Sequence, residues 1–167
     1  MNDCQTNRND HGGHALDLIL WRHAEAHDGG FSVPDHERRL TAKGRLQARE
    51  VGHWLSSRLP HSPRVLSSPA VRTMETAESL GLPVEVMNEL GTGTSPERFL
   101  EAVGWPYSEG CVVAVGHQPT MGQVASLILT GEQYSWSVRK GALWWFRVQR
   151  SKGGEPVLRL VLSPDLV

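Results

Sequence analysis

Four side chains in this 167-residue sequence have the types and settings needed to bind and attack an anionic group. Arg22 and His23 directly follow one apolar run, and His117 comes just after another. Arg72 follows a third, shorter apolar segment. A guanidinium group binds phosphoryl oxygens in bidentate fashion, and a neutral imidazole can attack phosphorus. These residues predict phosphoryl chemistry, provided that the fold brings them together.

The apolar runs before these residues have the character of buried strands. Strands are predicted at 15–21, 65–67, 84–87 and 111–115, each bounded by turn residues. The carboxyl ends of parallel strands open onto a common crevice, which is where ligands bind in open α/β sheets. If the strands are neighbours in one sheet, the arginines and histidines at their ends converge on one site.

Helical patterns alternate with these strands. Thr41 is the predicted N-cap of a first helix that ends before Pro60, and three more helices are predicted at 70–80, 96–103 and 122–129. This alternation predicts an α/β fold, a three-layer α/β/α sandwich whose mostly parallel sheet has helices on both faces. The last two strands, 142–148 and 157–162, are predicted to form an antiparallel hairpin at the sheet edge.

Length and charge limit the domain count and the partners. We expect residues 1–15 to form a disordered arm and residues 16–167 to form one domain. The formal net charge is -1, from 17 basic and 18 acidic side chains. Because no strong field favours polyanions, neither nucleic acid nor a membrane surface is expected as a partner.

Cysteine and histidine usage adds an expectation about compartment and metals. Cys4 and Cys111 cannot make a disulfide framework, and the start of the chain lacks the apolar core of a signal peptide, so we expect a cytoplasmic protein. His11 and His14 in the arm make too weak a set for a metal site. Attack by an imidazole followed by hydrolysis requires neither metal nor cofactor, so none is expected.

The four residues also carry a resemblance to a known family. The strand ending in WRHAEA resembles the signature of the histidine phosphatase superfamily, which has the phosphoglycerate mutase-like fold. Arg72 within SSPAVRTMETA is similar to the second arginine of the family, and His117 within VGHQP to its second histidine. The resemblance implies that His23 is the nucleophile and that Arg22, Arg72 and His117 hold the phosphoryl group, which is hydrolysed through a phosphohistidine intermediate.

A second segment, DHERRLTAKG, resembles the SixA-type phosphohistidine phosphatase branch, where D-x-x-R-P-L-T-x-x-G is usual. Arg38 would be the additional pocket arginine of that branch. Two positions depart from the pattern: Ala24 stands where many members have glycine, and Arg39 stands where the branch usually has proline. The implied substrate is a phosphohistidine-bearing protein, handled by a metal-independent phosphatase that we expect to be a monomer.

The short connection from Arg72 to His117 favours the same substrate. It leaves little room for a covering insert, so the site is expected to admit a side chain displayed on another protein. An imidazole leaves more readily than an alkoxide and needs less help from a general acid. Glu89 and Glu25 are the candidate proton donors, although a solvated loop carboxylate is an equally good interpretation of each.

Several alternatives stay open for single residues. Arg72 could pair on the surface with Glu75 or Glu78, and His117 could be a hydrogen-bonded core histidine. For Arg38, a pocket position and a solvated one are equally favoured.

Alternatives also exist for the whole chain. A cysteine phosphatase is excluded because neither cysteine begins a C-x₅-R motif, and a P-loop kinase is excluded because no G-x-x-x-x-G-K-[ST] motif occurs. Two functions compete with phosphohistidine hydrolysis. One is a small-molecule phosphomonoester phosphatase of the same superfamily, and the other is a phosphohistidine-binding module without turnover.

Overall fold

The computed structural model describes residues 15–60, 62–149 and 154–167. The predicted arm therefore lies outside the described residues, apart from Ala15, which opens the first strand. The expectations for Cys4, His11 and His14 lie outside them as well.

A mixed sheet forms the middle of the fold. In the described part of the chain it has six strands in the order β3-β2-β4-β1-β5-β6. Pairing is parallel among β1 to β4 and antiparallel from β1 to β5 and from β5 to β6, which confirms the mostly parallel sheet and the edge hairpin. The strands are β1 (Ala15–Arg22), β2 (Arg64–Ser67), β3 (Val84–Val86), β4 (Gly110–Gly116), β5 (Leu143–Gln149) and β6 (Pro156–Leu162).

Helices cover both faces of the sheet, as predicted. They are α1 (Ala42–Ser56), α2 (Val71–Glu78), α3 (Pro96–Ala102) and α4 (Thr120–Thr130). The alternation of side chains along β1 separates two cores. On one face of the sheet, Leu18 and the neighbouring side chains of β1 pack with residues of α3 and α4. Ile19 and Trp21 on the other face pack with residues of α1 and α2.

Local signals set the helix ends. The Thr41 hydroxyl caps α1 by accepting a hydrogen bond from the Gly44 amide at 2.9 Å, and Gly131, with φ of 73°, ends α4 in the left-handed region. The last helix begins at Thr120, two residues before the predicted start, because Pro119 is already in a helical conformation.

The ends of β1, β2 and β4 meet at one edge, since β4 lies between the other two strands. Arg22 is in register with Gly116, and Ser67 with Val115. The chain beyond each end stays tied to β4, because the His23 amide donates to the Gly116 carbonyl at 3.1 Å. Likewise, the Ser68 amide donates to the Val115 carbonyl, also at 3.1 Å.

Among the described helices, none is long and apolar enough to cross a membrane.

Candidate active site

A polar cleft of about 270 Å³ opens at the edge where these strand ends meet. Its floor carries the four residues that the sequence singled out. The remaining lining comes from loops that surround the floor, which we call the rim. The floor residues are Arg22, His23, Arg72 and His117, and the rim residues are Asp35, Arg38, Thr92, Gln118 and Lys140.

His23 is buried and oriented by the backbone that follows it. Its Nδ1 lies 2.7 Å from the Ala24 carbonyl oxygen, which can only accept, so Nδ1 carries the proton and Nε2 keeps its lone pair. The Ala24 amide in turn donates to the Thr76 hydroxyl at 3.1 Å. Burial lowers the pKa of His23 to about 3, so the imidazole is neutral at neutral pH.

His117 faces His23, with 5.4 Å between the ring centroids. Its Nδ1 lies 3.3 Å from Arg72 Nη2, and because a guanidinium only donates, Nδ1 accepts and Nε2 carries the proton. Nε2 then donates to the Ser68 hydroxyl at 2.8 Å. Burial, and after it the charge of Arg72, lowers the pKa of His117 to about 4. The second imidazole is therefore neutral as well.

Two guanidinium groups flank the histidines. Arg72 is only 3% exposed and donates to both the backbone oxygen and the carboxylate of Asp35, the latter at 2.9 Å. Arg22 donates to the Val138 carbonyl at 2.6 Å, and burial lowers its pKa. In the described part of the chain, the buried Nε atoms of both arginines have no hydrogen-bond partner. Buried donors normally have one, so these two Nε groups are exceptions among the buried polar groups of the described residues.

The contacts of Arg72 and His117 bear on the alternatives that the sequence leaves open for these two residues. Arg72 pairs with Asp35, while Glu75 pairs with Arg39 at 2.9 Å. His117 is buried and hydrogen-bonded, as a core histidine would be, and it also lines the cleft.

Arg38 lies on the rim with a side chain that is 19% exposed. It donates to the Asp35 carboxylate at 2.8 Å and to the His27 carbonyl at 2.7 Å. Hydrogen bonds from Arg38, and after them from Arg72, hold the pKa of Asp35 below its usual range despite some desolvation. Asp35 therefore stays ionised and joins the rim arginine to the floor arginine.

Comparison with known proteins assigns the family. Residues 18–91, which include Arg22, His23, Arg38 and Arg72, match the model of the histidine phosphatase superfamily (branch 1). An uncharacterized protein of Picosynechococcus is 32% identical over 124 residues, covering 70% of this chain and 75% of the relative. The chain belongs to the histidine phosphatase superfamily. Membership supports phosphatase activity and confirms the resemblance that the sequence indicated.

Another relative and two solved structures are also similar to this chain. An uncharacterized protein of Mycobacterium leprae is 34% identical, covering 66% of this chain and 71% of the relative. A structure described as phosphohistidine phosphatase SixA from Nakamurella multipartitia has a TM-score of 0.72 at 28% identity, covering 90% of this chain and 96% of its own. The protein histidine phosphatase SixA complexed with tungstate also has a TM-score of 0.72, at 24% identity, with 89% of this chain and 97% of its own covered. The fold is thus the phosphoglycerate mutase-like fold of SixA.

The two candidate proton donors, Glu25 and Glu89, are not among the residues that line the cleft. Glu25 accepts from the Thr41 hydroxyl at 2.9 Å and pairs with Lys43 at 3.3 Å, and that hydrogen bond lowers its pKa. Glu89 lines a separate depression that also contains Arg98. Among the described lining residues of the cleft, Asp35 is the one carboxylic acid.

Five residues that line the cleft or contact its floor have no role predicted from the sequence: Asp35, Ser68, Thr92, Gln118 and Lys140. A signal existed for Asp35, which stands three residues before Arg38 in the quoted motif. Ser68 directly follows β2 at the converging edge, which is also a detectable position. Thr92 and Lys140 come from loops whose paths depend on tertiary contacts, and no sequence pattern marks them.

Metal ligation has no obvious framework in the part of the chain that the structure describes. No group of three or more histidine, cysteine, aspartate or glutamate side chains is placed there to hold an ion. Cys111 is buried, and burial raises the pKa of its thiol to about 12. This thiol is therefore not available as a nucleophile near neutral pH.

Proposed function

We propose that this histidine phosphatase hydrolyses phosphohistidine on a protein substrate through a phospho-His23 intermediate. His23 is suited to be the nucleophile because its imidazole is neutral and, with the Nδ1 proton donated to the Ala24 carbonyl, Nε2 keeps its lone pair. Nε2 attacks phosphorus while the bond from phosphorus to the leaving group breaks. Water then attacks phospho-His23, which releases phosphate and restores the free imidazole.

Charge in the floor supports this transfer. Arg22 and Arg72 both line the cleft and supply guanidinium donors there. Donors that are fixed before the reaction stabilise the charge that develops on the transferring phosphoryl oxygens. His117, held by Arg72 and Ser68, is proposed to contact the same group.

The observation that carries the choice of substrate is the state of Asp35. An alkoxide leaving group needs a proton, and the carboxyl group of the described cleft lining is kept ionised by Arg38 and Arg72. The imidazole of a phosphohistidine departs as a neutral group when its other ring nitrogen carries a proton. The conjugate acid of that neutral group has an ordinary pKa of about 6.5, so it departs from phosphorus without strong acid assistance. A cleft with its acid committed to two arginines therefore favours phosphohistidine over alkyl phosphate esters.

The remaining parts of the proposal concern cofactors and setting. We propose that the reaction needs no metal or cofactor, because the floor supplies its own positive charge. We also propose a phosphorylated protein as the partner, a monomer as the working form and the cytoplasm as the compartment. Sparse cysteine usage supports the last of these.

A substrate panel tests the proposed function. The protein, with and without EDTA, is assayed on a phosphohistidine peptide, a phosphoserine peptide and a small alkyl phosphate. We expect the phosphohistidine peptide to give the highest kcat/KM and EDTA to have no effect. The His23→Ala variant should lose this turnover, whereas His53→Ala, a change at an exposed position of α1, should keep it.

Each outcome bears on one part of the proposal. A higher kcat/KM for the alkyl phosphate would overturn the assignment of the substrate and favour the small-molecule phosphatase. Loss of activity with EDTA would contradict metal independence. Binding of the phosphohistidine peptide without any turnover would identify a binding module instead of an enzyme.

A further inference from the structure

Lys140 is a cationic rim residue that the proposed mechanism does not use. It lines the cleft together with the four floor residues, and it is exposed. It lies in the connection from α4 to β5, which the family match over residues 18–91 does not include. Its role has to be derived from its own surroundings.

The backbone around Lys140 is fixed to the nucleophile strand. The amide of Gly141 donates to the His23 carbonyl at 3.0 Å, and the Gly141 carbonyl accepts from Trp21 Nε1 at 3.0 Å. On the other side of Lys140, the Val138 carbonyl accepts from the Arg22 guanidinium. Because both neighbouring segments are tied to residues 21–23, the base of the Lys140 side chain has a set position relative to His23.

Gly141 shows that this path is constrained. Its φ of +75° lies in the left-handed region, and a Cβ there would come within 2.8 Å of Pro164 Cγ. A residue other than glycine would therefore strain the loop and move Lys140. Only the flexible stem and ammonium group of Lys140 retain freedom to follow a ligand.

The charges of the cleft distinguish Lys140 from the other cations. Asp35 pairs with both Arg38 and Arg72, and Arg22 is bonded to Val138. Lys140 has no hydrogen bond or ion pair with any described residue. Its charge is the last of the influences that lower the pKa of Glu25.

A phosphoryl group carries at most about two negative charges, which Arg22 and Arg72 can already match. The cleft therefore has one cation more than a phosphoryl group and Asp35 require.

We propose that Lys140 is a specificity-determining residue that binds a second anionic group of the substrate, a carboxylate of a residue next to the phosphohistidine. The inference rests on the proposed function and adds the sequence context of the substrate. An ammonium group at the mouth of the cleft is positioned to meet a side chain that flanks the phosphorylated residue. The neighbouring Arg139 has no such role, because it pairs with Asp165 at 3.3 Å and does not line the cleft.

The test uses two pairs of peptides, one pair with phosphohistidine and one with phosphoserine. Within each pair the flanking residue is glutamate or glutamine. For wild type we expect kcat/KM to be about two- to fivefold higher for the glutamate peptide, the size of an exposed charge pair. Lys140→Gln should bring this ratio to about one, and Lys140→Glu should invert it. Arg139→Gln is the matched control and should keep the wild-type ratio.

Salt provides a second readout that a merely structural role would not change. The wild-type preference should shrink in about 0.5 M NaCl, whereas the ratio of Lys140→Gln should not respond. A wild-type ratio of one, or an unchanged ratio in Lys140→Gln, would overturn the role of Lys140.

The two peptide pairs separate this proposal from the proposed function. If only the phosphoserine pair is hydrolysed, the proposed phosphohistidine substrate fails, and Lys140 is judged on the ratio within that pair. Hydrolysis of small phosphate esters without hydrolysis of either peptide pair would overturn both.

Discussion

The floor and the rim of the cleft are built in different ways. Every floor residue is attached to a strand end or to a helix that begins just after one, and Arg72 and both histidines are at most 6% exposed. Apart from Gln118, which follows His117, the rim comes from longer connections, in which Arg38 and Lys140 keep partly exposed or exposed side chains. The parallel sheet therefore fixes the groups that we propose to react, while the loops position the side chains around them.

This difference separates chemistry from recognition. Removal of a buried, preorganised group from the floor eliminates an interaction that acts in the transition state. Removal of a solvated charge from the rim weakens binding by an amount that water screens. We therefore expect large effects on kcat from the floor and small effects, mainly on KM, from the rim.

The largest effect after loss of the nucleophile is expected at Arg72. Arg72→Lys keeps the charge but loses the fork that contacts Asp35 and His117, so kcat/KM should fall about 10²- to 10³-fold. Steady-state kinetics with a check of Tm measure this. Arg45→Lys, a change that lies outside the cleft lining, is the control. Activity within tenfold of wild type would show that Arg72 does not contact the reacting group.

The acid response of the fold reports on the buried imidazoles. The pKa values of about 3 for His23 and about 4 for His117 lie below the ordinary value near 6.5. Below about pH 6.5 the imidazoles of the unfolded chain take up protons, whereas the two buried imidazoles of the folded protein stay neutral. The free energy of unfolding therefore falls as the pH drops.

The loss between pH 6.5 and 5 is on the order of 2 kcal/mol for each imidazole. Thermal unfolding of wild type and of the His23→Gln, His117→Gln double variant measures it, since the double variant should lose much of the dependence. Parallel pH profiles of Tm would contradict the low pKa values.

The support beneath the floor can be tested at Gly44. A Cβ at this position would lie 1.8 Å from the Glu25 carbonyl oxygen, so α1 packs directly on the chain that follows the nucleophile. Gly44→Ala should lower the free energy of unfolding by about 1–3 kcal/mol. Gly30→Ala, where a Cβ meets nothing within 4 Å, should change it by less than about 0.5 kcal/mol. Equal chemical denaturation midpoints for the two variants would rule out this close contact.

The smallest effect is expected at Arg38 on the rim. Arg38→Gln removes a partner of Asp35 and a cleft cation, and it should raise KM about two- to fivefold with little change in kcat. Arg39→Gln is the control, because Arg39 pairs with Glu75 outside the cleft lining. A fall in kcat as large as that of Arg72→Lys would place Arg38 in the floor and remove the distinction.

Much of the fold was predictable because its signals are local. The apolar runs before Arg22 and His117 predict β1 and β4, and the cap at Thr41 predicts the start of α1. Strand order was not predictable in the same way. It depends on which faces bury each other, and the insertion of β4 between β1 and β2 has no local marker.

The residues of the site also differ in how far local sequence signals predict them. The floor residues follow strands and were therefore found together, whereas the rim residues Thr92 and Lys140 lie in connections without a pattern. Glu25 is a candidate proton donor because it is near His23 in sequence, and its contacts are with Thr41 and Lys43 at the start of α1. Proximity in sequence does not determine direction once the chain leaves a strand.

The central claim is that His23 becomes phosphorylated during turnover. Rapid quenching of wild type with a ³²P-labelled phosphohistidine peptide, followed by mapping of the labelled residue by mass spectrometry, tests it directly. We predict an acid-labile phosphoryl group on His23 that forms and decays at rates consistent with kcat, and no label in His23→Ala. A label on another residue, or turnover that persists in His23→Ala, would contradict the claim.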